Sequence, residues 1–227
     1  MSTSVSRSRT SPPPAVGAED RILLRGVDRA FYDHLVAVRG ENPNPRIAWF
    51  GEDLELMSPS IRHEDLAELL GLLVRIALTA LGVEHRGLGR VTMTRPGRPP
   101  SKEADACFYI ANLAHSPARS ARELDLAASP PPDLAIEVEI SRPGVPVEAI
   151  YAGLGVLELW RCDGQRLRIL RLGPNGRYAE QEHSGAVPRV RADDVIPLIA
   201  RAEELGDLAW TANIERWARE DLAQRPA

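Results

Sequence analysis

Asp133-Leu134-Ala135-Ile136-Glu137-Val138-Glu139-Ile140 is the stretch whose reading decides the fold. Read as a strand, it alternates: Leu134, Ile136, Val138 and Ile140 share one face, and Glu137 and Glu139 share the other. The first face suits a core. Two carboxylates side by side on a short, mostly apolar strand repel each other and need a cation, an arginine partner or bulk water. Ser141-Arg142-Pro143-Gly144 then ends the strand.

Working upstream, residues 103–110 repeat the pattern. Glu103, Asp105, Cys107 and Tyr109 point one way, and Ala104, Ala106, Phe108 and Ile110 the other. If the two strands are neighbours, up to four carboxylates converge on one patch of sheet. Mg²⁺ takes oxygen ligands, commonly one or two carboxylates with waters and phosphate oxygens. An ion held there can activate water and stabilise charge on a phosphate in transfer. The other reading of the same acids is a solvated sheet face paired with arginines.

The flanking segments give an α/β pattern. Residues 27–39 predict a helix with Phe31, Leu35 and Val38 inward. Residues 46–50 and 54–57 predict a hairpin around Gly51-Glu52-Asp53. Ser60 is a plausible N-cap for a helix over 60–81, in which Leu66, Leu69, Leu70, Leu73 and Ile76 recur at helical spacing and which Gly82 ends. A strand over 88–94 follows. Residues 111–132 read as an inserted loop with a helical turn near 118–126. Beyond the deciding strand come a helix at 146–153 and strands at 156–162, 166–172 and 177–183, punctuated by Asp163-Gly164 and Pro174-Asn175-Gly176. Residues 190–222 read as helical, with Leu205, Leu208, Ile214 and Trp217 as core candidates. The expected organisation is a Pro-rich disordered tail over 1–18, one domain over 19–200 and a helical extension over 201–227.

Composition narrows the class further. The chain has 227 residues, 44% of them hydrophobic, enough for a real core, and a net charge of −4 that advertises no bulk field for nucleic acid. Cys107 and Cys162 are far apart and make neither a zinc spacing nor a disulfide framework, which favours a cytoplasmic setting. No stretch is apolar enough to span a bilayer, and the N-terminus lacks a signal-like apolar core. Lys102 is the sole lysine in an arginine-rich chain, and it stands beside the acidic cluster.

Three runs carry a resemblance. Lys102-Glu103-Ala104-Asp105-Ala106-Cys107-Phe108-Tyr109-Ile110 resembles a Glu-Pro-Asp strand motif. The stretch from Pro131 to Tyr151 resembles its companion of acidic strand, Ser-containing turn and short helix. Gly155-Val156-Leu157-Glu158-Leu159-Trp160-Arg161-Cys162-Asp163-Gly164 resembles the G-V-x-E-x-W-x-x-D-G stretch that follows. In this order, over roughly residues 28–200, they resemble the Uma-type "putative restriction endonuclease" family of the PD-(D/E)XK nuclease superfamily. Ala104 departs from the usual Pro, at a position that donates no ligand.

The resemblance implies a restriction-endonuclease-like α/β core, with a first helix packed on a central mixed sheet and helices flanking it. It implies a metal-dependent DNA endonuclease using Mg²⁺, with Mn²⁺ as a possible substitute. Asp105 matches the family's Asp and Glu137 the Glu of its (D/E)XK element. Glu139 falls where many superfamily members carry Lys, and is expected to hold a second metal or to position the attacking water. Glu68, on the long helix, His63, at its start, Glu103 and Lys102 are the accessory candidates. A two-fold homodimer on DNA is expected from the symmetry of the duplex. The alternative is a nuclease fold that binds nucleic acid or protein without cutting. Mutual repulsion of the acids predicts that Asp105→Asn or Glu137→Gln leaves the fold intact or more stable.

Overall fold

The computed structural model describes residues 19–226 apart from 41, 43, 96, 97, 122 and 123, so the tail expected over 1–18 lies outside the described residues. Among the described residues the strands are β1 (Asp20–Leu24), β2 (Arg46–Phe50), β3 (Asp53–Ser58), β4 (Arg86–Gly87), β5 (Val91–Arg95), β6 (Arg98–Ala104), β7 (Ala106–Tyr109), β8 (Leu124–Asp125), β9 (Leu134–Val138), β10 (Glu158–Cys162), β11 (Leu167–Leu172) and β12 (Tyr178–Gln181). The helices are α1 (Arg29–Arg39), α2 (Ile61–Ala80), α3 (Val147–Leu154), α4 (Ala192–Ala200) and α5 (Ala202–Glu220).

These strands build two mixed sheets, not one central sheet. The first has the order β1-β3-β2-β6-β5-β8, and the second β12-β11-β10-β9-β7-β4. The deciding strand, β9, lies inside the second, parallel to β10 and antiparallel to β7. The expected continuous strand over 103–110 is divided: β6 belongs to the first sheet, β7 to the second, and Asp105 is the residue at which the chain crosses over. Side-chain alternation slips there. Ala104, Cys107 and Tyr109 enter one core, and Ala106 and Phe108 enter another. A regular strand would have put Ala104 with Ala106.

Around β9 the alternation holds. Leu134, Ile136 and Val138 pack into the larger core, with α2, α4 and α5 over that face. Ala135 faces α3 and strands of the first sheet. α2 is apolar along much of its length, burying Leu66, Leu69, Leu70, Leu73 and Leu78, among others. Ser60 caps it, its hydroxyl accepting from the His63 backbone N–H at 3.2 Å.

Several local expectations change. In α1, Phe31 and Val38 are exposed, and Tyr32 is buried instead, stacked on Trp49 at 4.4 Å between ring centroids. The strand expected to begin at 88 begins at Val91, after the two-residue β4. In the 111–132 insertion the helical turn falls at Leu113–His115, and Leu124–Asp125 adds a short strand. In the C-terminal region Leu208 is exposed, because Gly206 breaks the helix with non-helical backbone angles and resets its face. Trp210 and Ile214 supply the buried contacts there. No helix among the described residues is long and apolar enough to cross a membrane.

Candidate functional site

Asp105 is tied into the end of β9. Its backbone N–H donates to the Ile136 carbonyl at 3.2 Å, and its Oδ2 accepts from the Val138 N–H at 2.7 Å. A side-chain oxygen thus stands where a backbone carbonyl would continue the ladder. The register Ala106 to Ile136 sets Asp105 next to the position of Glu137 across the strands. Asp105 Oδ1 forms an ion pair with Arg46 and lies 3.0 Å from His63 Nε2.

His63 is fully buried, so it cannot touch a phosphate directly as an exposed histidine would. Its Nδ1 lies 2.5 Å from Glu19 Oε1, and its Nε2 is 2.6 Å from Arg46 Nη1. Burial pushes the Glu19 carboxyl up, but hydrogen bonds from His63, Ser141 and Arg21, with the Arg21 charge, more than reverse this and hold it well below the usual carboxylate range. Glu19 also accepts the Ile140 and Ser141 N–H groups at 3.2 and 3.0 Å, which fastens β1 to the chain leaving β9.

Glu137 has its own partners. Lys102 Nζ stands 2.8 Å from Oε2, and the Tyr151 hydroxyl on α3 donates to Oε1. Burial first, and the Glu137 charge second, push the Tyr151 phenol well above its ordinary value, so it stays a donor. Glu139 lies just past β9 and is gripped by Arg161 through Nε at 3.1 Å and Nη2 at 2.6 Å. Burial raises the Glu139 carboxyl, the Arg161 contacts oppose that, and the nearby Glu137 charge adds to it. Glu103 faces α1, where Arg39 forms its ion pair, and it also accepts from Thr92 Oγ1 on β5 at 3.3 Å.

The acids are therefore not a bare, mutually repelling cluster. Each of the four has its own guanidinium or ammonium partner. Asp105 and Glu137 sit side by side in the register, Glu137 and Glu139 feel each other's charge, and Glu103 is turned away. The expectation that neutralising one acid relieves repulsion gives way to the opposite sign, because neutralisation strands a buried cation. Sequence reading missed Arg46, Glu19 and Arg161. A charged residue opening the apolar run Arg46-Ile47-Ala48-Trp49-Phe50 was the available signal for the first.

Beside Asp105, a cleft of about 390 Å³ opens between α2 and β7. Glu64, Glu68, Arg75, Arg90, Ala106 and Phe108 line it with Asp105, whereas Glu137 and Glu139 do not. Glu68 is exposed there, and Glu64 pairs with Arg46 at 2.9 Å. Carboxylates are the right donor type for Mg²⁺. Yet no group of three or more His, Cys, Asp or Glu side chains among the described residues is arranged to hold a metal ion. The protein's own cations sit on the oxygens an ion would take, so a divalent cation would have to displace them.

Two mixed sheets flanked by helices, joined at an acidic crossover beside a helix-lined cleft, define a mixed α/β protein. The chain belongs to the Uma2 family, described as "Putative restriction endonuclease", whose model matches residues 30–204. Among solved structures it is similar to the crystal structure of a "putative nuclease belonging to DUF820" from Anabaena variabilis ATCC 29413. The identity is 15% and the TM-score 0.43, over 78% of this chain and 94% of that one. No curated protein matches the chain.

Proposed function

We propose that this protein is a cytoplasmic endonuclease that hydrolyses phosphodiester bonds in DNA, with Asp105, Glu137 and Glu139 as its reactive acids. Family membership over residues 30–204 supports a nuclease. What supports the assignment of residues is the β7–β9 pairing, whose register brings position 105 next to position 137 at the crossover between sheets; of the three acids, Asp105 alone lines the cleft. Mg²⁺, with Mn²⁺ as a substitute, is the ion this reading requires. It has to compete with Arg46 for Asp105 and with Lys102 for Glu137.

The test is supercoiled-plasmid nicking with each ion, run beside thermal melts. Wild type is expected to nick only with Mg²⁺ or Mn²⁺ and to melt higher with either, because an ion that binds the native state stabilises it. Asp105→Asn and Glu137→Gln are each expected to lower the nicking rate at least about a hundredfold, the scale of losing one positioned proton-transfer or charge-stabilising group. Cutting by wild type that neither variant alters would remove these residues from the mechanism.

A second reading has an observation of its own. Every one of the acids is neutralised by a protein cation, as suits a nuclease fold that binds nucleic acid or protein without cutting. DNA retention with no nicking under any ion would select it. The nuclease reading also includes a two-fold homodimer, matching the symmetry of duplex DNA. Light scattering at micromolar concentration is expected to give twice the 24.9 kDa chain mass, and a single-chain mass excludes the dimer.

A further inference from the structure

Most guanidinium groups near the crossover are committed to carboxylates. Arg21 binds Glu19 and Glu55, Arg46 binds Asp105 and Glu64, and Arg161 binds Glu139 and Glu148. Arg75 is different. It is exposed on α2, it lines the cleft that contains Asp105, and it has no carboxylate partner among the described residues.

Its position is nevertheless defined. The guanidinium carbon lies over the Phe108 ring, 5.5 Å from the centroid. Gly87 is the cross-strand partner of Phe108 on β4, and a Cβ there would stand 2.6 Å from Arg75 Nη2 and 2.8 Å from Nη1. The missing side chain leaves the space the guanidinium fills. A guanidinium seated on an aromatic face still presents N–H donors at its edge, in the fork that matches two phosphate oxygens. Glu64, Glu68, Gly71 and Arg75 follow one another at helical spacing along the cleft. Glu64 to Arg75 covers about 16 Å of helix, equivalent to between four and five steps along a DNA strand.

We propose that Arg75, seated on Phe108 and Gly87, is a phosphate-binding residue of this cleft that holds the DNA backbone alongside Asp105. The proposal rests on the nuclease reading and deepens it: α2 carries the substrate contact, and the crossover just before β7 carries the acid. Acids near a bound strand repel its phosphates, so a cation on the same wall with no carboxylate partner among the described residues supplies attraction that the net charge of −4 does not.

The experiment is fluorescence anisotropy of a labelled random-sequence duplex in EDTA over a salt series, for wild type, Arg75→Ala and Gly87→Ala, with plasmid nicking in parallel. Arg75→Ala is expected to weaken binding about tenfold, as for one lost charge-assisted hydrogen-bond pair. It should also make the slope of log K against log salt shallower by about 0.9, the loss of one phosphate contact. Gly87→Ala keeps the charge but displaces a flexible side-chain end, so it should weaken binding by a smaller factor while its melting temperature stays near wild type. Gly87 does not have a positive φ, so Ala suits its backbone. If wild type binds and Arg75→Ala keeps both affinity and slope, the Arg75 proposal is overturned while the nuclease reading stands. If wild type neither binds nor cuts DNA, the reading itself falls and the phosphate contact with it.

Discussion

Asp105→Asn is expected to cost about 3 kcal/mol of unfolding free energy, since removing one partner of a buried ion pair leaves the other charge uncompensated. The side chains of Asp105 and Arg46 are 1% and 5% exposed. Asn keeps the shape and can still accept the Val138 N–H, so the loss isolates the charge from the packing. What remains is a buried Arg46 whose other neighbours are His63 and the half-exposed Glu64, and whose Nε already has no hydrogen-bond partner. The measurement is chemical denaturation of wild type, Asp105→Asn, Arg46→Met and the double variant. In the double variant no stranded guanidinium is left, so it should be more stable than the sum of the single losses predicts, by about 1–3 kcal/mol. An Asp105→Asn protein as stable as wild type, or more so, would restore the picture of acids strained by mutual repulsion. This cost is separate from the loss of nicking, which is why melting curves must accompany every activity measurement on this residue.

The contrast between the two pictures marks where the sequence was legible. Period-two alternation in Leu134–Val138 correctly gave a strand with one apolar face, because burial on that face dictates register. Helical spacing gave α2 almost to the residue, helped by a Ser60 cap whose chemistry is local. The division of 103–110 between two sheets was not legible. A strand that changes sheets keeps its composition, and the slip at Asp105 depends on Val138 and Ile136, more than thirty residues away. The same holds for the site. The acids are visible as a pattern, but their partners come from β2, β6, α1, α3 and β10, and nothing in the sequence spacing links Glu19 to His63 or Arg46 to Asp105. Lys102 is instructive. A regular strand points it away from Asp105 and Glu103, and that direction carries its ammonium to Glu137. Inference from alternation was sound within each strand and failed only where tertiary contacts redirect the chain.

Glu158 shows that a residue within a recognisable motif can be there for the fold. It is 1% exposed and accepts four hydrogen bonds. Trp160 Nε1 donates to Oε1 at 2.8 Å and Ser184 Oγ donates to the same oxygen, while the Gly185 and Ala186 N–H groups donate to Oε2 at 2.7 and 3.1 Å. This carboxylate ties β10 to the turn that delivers Val187 and Val190 into the larger core, just before α4. Glu158→Gln preserves volume and still satisfies Trp160 and Ser184 through its carbonyl. Its amide nitrogen, however, cannot accept, so two backbone N–H donors would face a third donor. Each lost charge-assisted bond is worth roughly 1.5–3 kcal/mol, and partial solvation of the turn lowers the total, so a loss of about 3 kcal/mol is expected. Glu158→Ala removes all four acceptor contacts and adds a cavity, and should be worse still. Denaturation midpoints give the size of the effect, and hydrogen exchange at the Gly185 and Ala186 amides gives its location. Those two amides should lose protection in Glu158→Gln before the strands of the second sheet do. If the Gln variant matches wild type within about 0.5 kcal/mol, the ordinary scatter of surface substitutions, then the turn is held by its own backbone and Glu158 must be sought in another role.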